Sequence, residues 1–259
     1  MGNEFYVPGD QRAAKVNDLF ATVAHRYDLI NDIQSFGLHR LWKRKLIRLA
    51  SVRPGDHVLD LCCGTGDVAF SLIRQGAIVA GLDFSGPMLA VAVTRRDRAA
   101  PGTPKSTGRA PAGRTSGLRT QTFITFLQGD AMIIPFVDAS FDIVTISYGL
   151  RNLASVERGL REMRRVTKPG GRILVLDFGK PPLRLWRAIY FAYLRFLVPW
   201  FGRVFCGDAD TYAYILESLL RYPAQEGVAA AMRDLQCSNV RVVNLLGGAM
   251  SINCGEKPK

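Results

Sequence analysis

Short apolar runs ending in turn residues alternate with helically spaced stretches along most of this chain. Val58-Leu59-Asp60-Leu61 is such a run; it meets Cys62-Cys63-Gly64-Thr65-Gly66 and then an apolar helix start at Val68-Ala69. Ala77 to Asp83, Phe123 to Leu127, Phe141 to Ser147 and Arg172 to Asp177 repeat the pattern and predict further strands. Phe141 to Ser147 is nearly continuous in its apolar character, as expected for a strand covered on both faces. Between them, Gly86 to Ala92 begins a helix, and Ser155 is a good N-cap for another that runs to Val166. That helix should stop at Lys168-Pro169-Gly170-Gly171, where Pro and Gly cannot continue it. The alternation predicts an α/β fold with a doubly wound, mostly parallel sheet and its ligand at the carboxyl ends of the strands. Helices at Tyr212 to Leu220 and around Gln225 to Leu235, then strands at Val240 to Leu246 and Ala249 to Cys254, complete a set of seven strands.

Ahead of the first strand, residues 1–15 read as a polar arm, and Val16 to Leu49 carries apolar residues at helical spacing, enough for two or three helices. Within it, Arg26-Tyr27-Asp28-Leu29-Ile30-Asn31-Asp32 reads as a helix-helix junction with Asn31 or Asp32 as a cap. Leu185 to Cys206 is the most apolar segment. Arg187, Arg195 and Arg203 interrupt it and Pro199 would break a spanning helix, which argues against a transmembrane segment. At 100° per residue, Arg184, Arg187 and Arg195 fall on one stripe with aromatics around the rest. Two readings stand side by side: an amphipathic lid over a greasy substrate or a membrane surface, and a core helix with snorkelling arginines.

Charge changes the picture less than its total suggests. The 259 residues carry a net charge of +12, which invites a nucleic-acid or anionic-membrane partner. Residues 95–121 hold seven basic side chains against Asp97 alone, so +6 of that excess sits in one stretch. The stretch is rich in Pro, Gly, Ser and Thr and poor in apolar residues, and reads as a disordered surface insertion. The folded part then has little reason to bind nucleic acid. The five cysteines lack C-x-x-C spacing and there are three histidines, which points to neither a disulfide framework nor a metal site. The amino terminus lacks the basic start and apolar core of a signal peptide, so a reduced, cytoplasmic protein is expected.

Gly64 to Ala69 satisfies the G-x-G-x-x-G/A fingerprint of a dinucleotide-binding turn. Asp60 before the turn and Asp67 after it would repel a pyrophosphate. A ligand with a sulfonium cation and an amino-acid head suits the turn better, and S-adenosylmethionine has both. Asp83 ends the second strand about 20 residues after the glycines, where a carboxylate can accept hydrogen bonds from both ribose hydroxyls. Asp130 and Ser147 also fall at predicted carboxyl ends, so Asp60, Asp83, Asp130 and Ser147 converge on one site.

Together these residues resemble class I S-adenosylmethionine-dependent methyltransferases, and more closely the ubiquinone/menaquinone biosynthesis C-methyltransferase family. The resemblance runs from about Val16 to Cys254. It is carried by Arg26 to Asp32 with Ser35 to Arg44, by Val58 to Asp67, by Ile146-Ser147-Tyr148-Gly149-Leu150-Arg151-Asn152, and by Val166 to Pro181. Asp208 to Tyr212 and Glu217-Ser218 also look like family residues. Two features depart from the family pattern: Cys62-Cys63 and the basic insertion.

The resemblance implies one Rossmann-like methyltransferase domain over residues 1–259, with N-terminal helices at 16–50, the insertion at 95–121 and an aromatic-rich helical lid at 183–222. It implies S-adenosylmethionine contacts at Asp60, Gly64, Thr65, Gly66, Asp83, Asp130, Ala131 and Ser147. It implies methylation of a ring carbon of a reduced polyprenylated quinol, demethylmenaquinol first and the ubiquinone-pathway benzoquinol second. For this, Arg151 would hold a phenolate or polarise water, Asn152 would orient that water, and Tyr27 would complete the set. His39 and His25 are alternative bases. A helix cap at Asn152 and a surface ion pair at Arg151 are the plain alternatives. A homodimer and peripheral contact with the inner face of the membrane accompany this reading. A methyltransferase with another lipophilic acceptor, an NAD-dependent oxidoreductase and a basic RNA-binding protein are the competing functions.

Overall fold

The computed structural model describes residues 27–99, 124–200 and 210–259. Two helices lead in: α1 (Tyr27–Ser35) and α2 (Leu38–Ala50). The alternating unit follows as β1 (His57–Leu61), α3 (Asp67–Ile73), β2 (Ile78–Asp83), α4 (Gly86–Ala99), β3 (Ile124–Gln128) and β4 (Phe141–Ser147). A single 3-10 turn at Leu150–Asn152 precedes α5 (Val156–Val166), β5 (Thr167–Phe178) and α6 (Arg184–Ala192). The chain closes with α7 (Asp210–Arg221), α8 (Ala224–Asp234), β6 (Ser238–Leu245) and β7 (Met250–Glu256).

Among the described residues the strands form one seven-stranded sheet in the order β3-β2-β1-β4-β5-β7-β6. β1 to β5 are parallel neighbours, and β7 inserts antiparallel between β5 and β6. Successive side chains on a strand face opposite ways, so each central strand feeds two cores. Leu59, Leu61, Ile173 and Val175 join a core under α5, α6, α7 and α8. Val58, Leu174 and Leu176 join a second core under α2 and α3. Both faces are covered, which is why these strands read as apolar runs rather than as alternating patterns.

Ser155 caps α5 as expected, its hydroxyl accepting from the Arg158 N–H at 3.2 Å. Three expectations need correction. Arg26 to Asp32 is not a junction from Tyr27 onward: α1 runs unbroken through Asn31 and Asp32, which therefore cap nothing. The helix that begins at Gly86 does not fade at Arg95 but continues to Ala99, so the first residues of the supposed insertion are helical. Lys168-Pro169-Gly170-Gly171 ends α5 but lies inside β5. The strand starts at Thr167 opposite Phe141, and its register shifts between Phe141 and Ile143. A bulge accommodates the Pro and glycines there, with Gly170 at φ +75°. The polar arm, His25, residues 100–121 of the insertion and Asp208-Ala209 lie outside the described residues.

The aromatic segment buries one stripe of side chains and leaves another exposed. Tyr190, Leu194 and Val198 recur every four residues and are buried, Phe191 and Tyr193 are half-buried against the same core, and Ala192, Arg195, Phe196 and Leu197 face out. A π-turn at Tyr193–Leu197 widens the helix just ahead of Pro199. Pro199 has no N–H to donate, and its ring crowds the carbonyl one turn back.

Candidate active site

The glycine turn is built by positive backbone angles. Gly64 has φ +54° and Gly66 φ +88°, and a Cβ on Gly66 would lie 2.8 Å from the Phe70 ring. Cys62 also adopts φ +50°, a conformation that costs a side-chain-bearing residue more than a glycine. The turn is laced to β2: the Gly64 N–H donates to Asp83 Oδ2 at 2.7 Å, and the Cys63 N–H to the Leu82 carbonyl at 3.2 Å. Asp83 Oδ1 accepts from the Ser85 N–H at 2.8 Å. Burial raises the Asp83 carboxyl above its ordinary range, against the pull of the Ser85, Gly64 and Phe84 amides.

These elements open on a cleft at the carboxyl ends of β1 to β4. Gly64 and Asp83 form one wall, Gly129, Asp130 and Ala131 another, and Ser147, Tyr148, Gly149 and Asn152 the far end. Asp130 fixes its own loop by accepting the Met132 N–H at 2.8 Å. Among the described residues, the buried Ser85 Oγ, Ser147 Oγ and Asn152 Oδ1 have no hydrogen-bond partner. Buried polar atoms are normally satisfied, so three orphans around one cleft mark positions for polar atoms of a bound molecule. They and the Asp83 carboxylate suit a nucleoside with an amino-acid tail, and S-adenosylmethionine fits this donor and acceptor set.

Other expected residues sit elsewhere. Asp60, Thr65 and Gly66 do not line the cleft. Asp60 is 1% exposed and accepts from the Thr145 hydroxyl at 2.8 Å. Its burial pushes the carboxyl up to about 7, and its second oxygen lacks a partner among the described residues. Asp67 was expected to help repel a pyrophosphate, but its charge is already taken up by Lys43 at 3.0 Å and Arg95 at 3.1 Å. Burial alone would raise its carboxyl; Lys43 and Arg95 hold it below the usual range. Asp83 and Asp130 are the acids that face the cleft.

Arg151 is also set back. Its side chain is 4% exposed and pairs at 2.9 Å with Asp177, which is 1% exposed, while its guanidinium covers the Phe178 ring at 4.5 Å. The same Nη1 donates to the Tyr148 carbonyl, and the Arg151 N–H donates to Asp177 Oδ2 at 3.1 Å. This is neither a surface ion pair nor a cation lining the cleft, but a buried strut behind the 3-10 turn. Asn152 does reach the cleft, next to Ser147 and Tyr148. Tyr27 opens α1, and its side chain lies outside the described residues. His39 is buried with Nδ1 2.9 Å from the Ser35 hydroxyl, and burial lowers its imidazole below the ordinary value. It does not line the cleft.

The sequence reading missed Phe84, Ser85, Met88 and Met132 in the cleft wall. Phe84 and Ser85 directly follow Asp83, and Met88 lies in the first turn of α4, so continuing past the strand end would have found them. Asp177 ended a predicted strand as Asp83 did, but nothing local paired it with Arg151. Cys62 lines the cleft and burial raises its thiol well above the usual range, as for Cys63, which suits small wall-filling residues rather than nucleophiles.

A doubly wound sheet with β7 inserted antiparallel between β5 and β6, together with this glycine turn and strand-end carboxylate, defines a class I methyltransferase that uses S-adenosylmethionine. Solved structures share the fold. A methyltransferase of Haloferax volcanii, solved with its Trm112 activator, superposes with TM-score 0.61 at 17% identity, covering 93% of this chain and 98% of that one. A SAM-dependent methyltransferase of Thermotoga maritima gives 0.58 at 18%, covering 93% and 99%. The chain belongs to the ubiE/COQ5 methyltransferase family, whose profile matches residues 9–257. It is 41% identical over 255 residues to the "Ubiquinone/menaquinone biosynthesis C-methyltransferase UbiE" of Ectopseudomonas mendocina, covering 97% of this chain and 92% of the relative. The protein of the same name from Azotobacter vinelandii is 40% identical, covering 97% and 93%.

Proposed function

We propose that this chain methylates a ring carbon of a reduced polyprenylated quinol, with demethylmenaquinol as its first acceptor and the ubiquinone-pathway benzoquinol as its second. The observation that carries this reading is the Ser147–Asn152 segment. Its sequence is one of the stretches that carry the resemblance to the family, and it forms the far end of the cleft, with Ser147 Oγ and Asn152 Oδ1 buried there and lacking a partner among the described residues. S-adenosylmethionine supplies an electrophilic methyl group when bound. A ring carbon would become nucleophilic enough to take it once a neighbouring hydroxyl gives up its proton to water. The S–CH3 bond would break as the C–CH3 bond forms, S-adenosylhomocysteine would leave, and the hydrogen on the methylated carbon would be lost as a proton to water, restoring the aromatic ring. Asn152 Oδ1 accepts a hydrogen bond from that hydroxyl or from a water that removes its proton, and so orients the ring. Arg151 acts from behind: paired with Asp177, it fixes the Tyr148 carbonyl and the 3-10 turn, so that Asn152 is held in one orientation. Asp83 holds the ribose, Asp130 and Ala131 flank the adenine, and Ser147 takes a polar group at the β4 end. Tyr27 closes the set from α1.

The acceptor order is tested by kcat/KM for the two chemically reduced quinols under identical conditions. A higher value for demethylmenaquinol is expected; a tenfold preference for the benzoquinol would reverse the order.

A further inference from the structure

Beyond the cleft, the largest unexplained feature is the outer face of α6 and its continuation to Trp200. Leu183, Leu185, Ile189, Phe196, Leu197 and Trp200 are 66%, 70%, 51%, 66%, 45% and 56% exposed. Large apolar side chains this dense on one short stretch mark an interaction surface rather than ordinary scatter. The stretch is also purely cationic. Arg184, Arg187 and Arg195 lie along it, and residues 183–200 contain no Asp or Glu. Arg195 rests over the Phe196 ring at 5.6 Å, so charge and apolar surface are presented together.

The helix is firmly mounted. Tyr190, Leu194 and Val198 pack into the same core as Leu150 of the 3-10 turn. The Trp186 indole donates to the Leu246 carbonyl at 3.0 Å, and the Tyr190 hydroxyl to the Ala249 carbonyl at 3.1 Å. No helix among the described residues is long and apolar enough to cross a membrane. A rigidly held helix with an apolar outer face and a fringe of arginines has the composition of one that lies in the plane of a bilayer surface.

We propose that the outer face of Leu183–Trp200 docks on a bilayer with anionic headgroups, its apolar side chains entering the headgroup-acyl boundary and its arginines contacting the lipid phosphates. The absence of carboxylates along the stretch favours a lipid surface over a protein partner, whose interface would ordinarily offer charges of both signs. Because this helix shares a core with the turn that ends the cleft, docking brings the cleft near the bilayer surface, and a prenyl tail can stay in the membrane while its ring is methylated. That last step rests on the proposed function; the docking surface does not.

The test is co-sedimentation of the full chain with large vesicles of pure phosphatidylcholine and of phosphatidylcholine with 30% phosphatidylglycerol, using wild type, I189E/F196E and I189S/F196S. Turnover on a short-chain, water-soluble quinol is measured in parallel, and thermal unfolding confirms that each variant folds. Wild type is expected to partition to the anionic vesicles, more weakly as salt rises. Both double variants are expected to lose at least tenfold in partitioning while keeping wild-type turnover on the soluble quinol. Absence of wild-type binding overturns the proposal, as does binding that neither variant weakens. A wild-type dimer that the variants convert to monomer, without vesicle binding, overturns it in favour of a second copy on this face. Vesicle binding that depends on this face, with no turnover on any quinol, sinks the quinol reading and leaves the docking surface standing.

Discussion

Breaking the Arg151–Asp177 pair should cost the protein far more than a surface contact would. The two side chains are 4% and 1% exposed and meet at 2.9 Å. In Arg151→Met, Asp177 keeps, among the described residues, the backbone N–H groups of positions 151 and 178, at 3.1 and 2.8 Å, to stabilise a buried carboxylate. In Asp177→Asn, the guanidinium stays buried beside an amide. Leaving one charge of a buried pair uncompensated typically costs about 3–5 kcal/mol. For a chain of this size that corresponds to a drop in Tm of roughly 6–20 °C. The double variant Arg151→Met/Asp177→Asn removes both charges and should recover at least about 2 kcal/mol of the sum of the single losses. The kinetic readout separates the roles. If Arg151 positions the turn, each single variant lowers kcat, the cofactor Kd shifts by less than about threefold, and the double variant regains part of the lost kcat. Thermal unfolding followed by circular dichroism, with turnover measured on the same preparations, completes the cycle. Single losses that simply add would refute the strut. A double variant as inactive as Arg151→Met would show that the cation itself acts on the substrate.

Three further outcomes follow from the same geometry. Asp83→Asn should weaken S-adenosylmethionine binding by about 10- to 100-fold in calorimetry, the loss of one or two charge-assisted hydrogen bonds, while an unchanged Kd would remove Asp83 from the ribose. Gly149→Ala places a Cβ 2.4 Å from Cys62 Cβ and should displace the turn, lowering kcat by more than tenfold; wild-type turnover would show that the turn tolerates the shift. Asp60 titrates at about 7 in the folded chain against 3.8 ordinarily. Folding therefore favours its protonated form, and its contribution is full below pH 4, falls as pH rises to 7 and then levels off. A shift of that size corresponds to about 4 kcal/mol. Urea unfolding of the cofactor-free chain from pH 4 to 8 should show this slope in wild type and not in Asp60→Asn; parallel profiles would contradict it.

The sheet and the cleft floor were legible because their signals are local. A glycine turn after an apolar run, and Asp83, Asp130 and Ser147 at strand ends, can each be read from a few neighbouring residues. What stayed hidden depends on which face a strand-end side chain takes. Asp60 is the last residue but one of β1 as Asp83 is the last of β2, but Leu59 and Leu61 point into the first core. Asp60 therefore shares Val58's side of the sheet, behind the glycine turn. Arg151 shows the same limit across strands. Its partner lies 26 residues away, and only the pairing of Ser147 with Leu176 brings the ends of β4 and β5 together. The continuation of α4 was missed because Arg95 counted as part of a polar stretch, although it bonds Asp67 at the start of α3. The aromatic segment looked ambiguous because a helix period alone does not say which of its side chains are buried and which stay exposed.

The central claim is most directly tested by following labelled methyl from S-adenosylmethionine into demethylmenaquinone, supplied either chemically reduced or oxidised, and locating the label by mass spectrometry and NMR. The account predicts label on a ring carbon of the reduced acceptor and none on the oxidised one. Label on oxygen, equal labelling of both redox forms, or no labelling of the reduced form while S-adenosylmethionine still binds would contradict it.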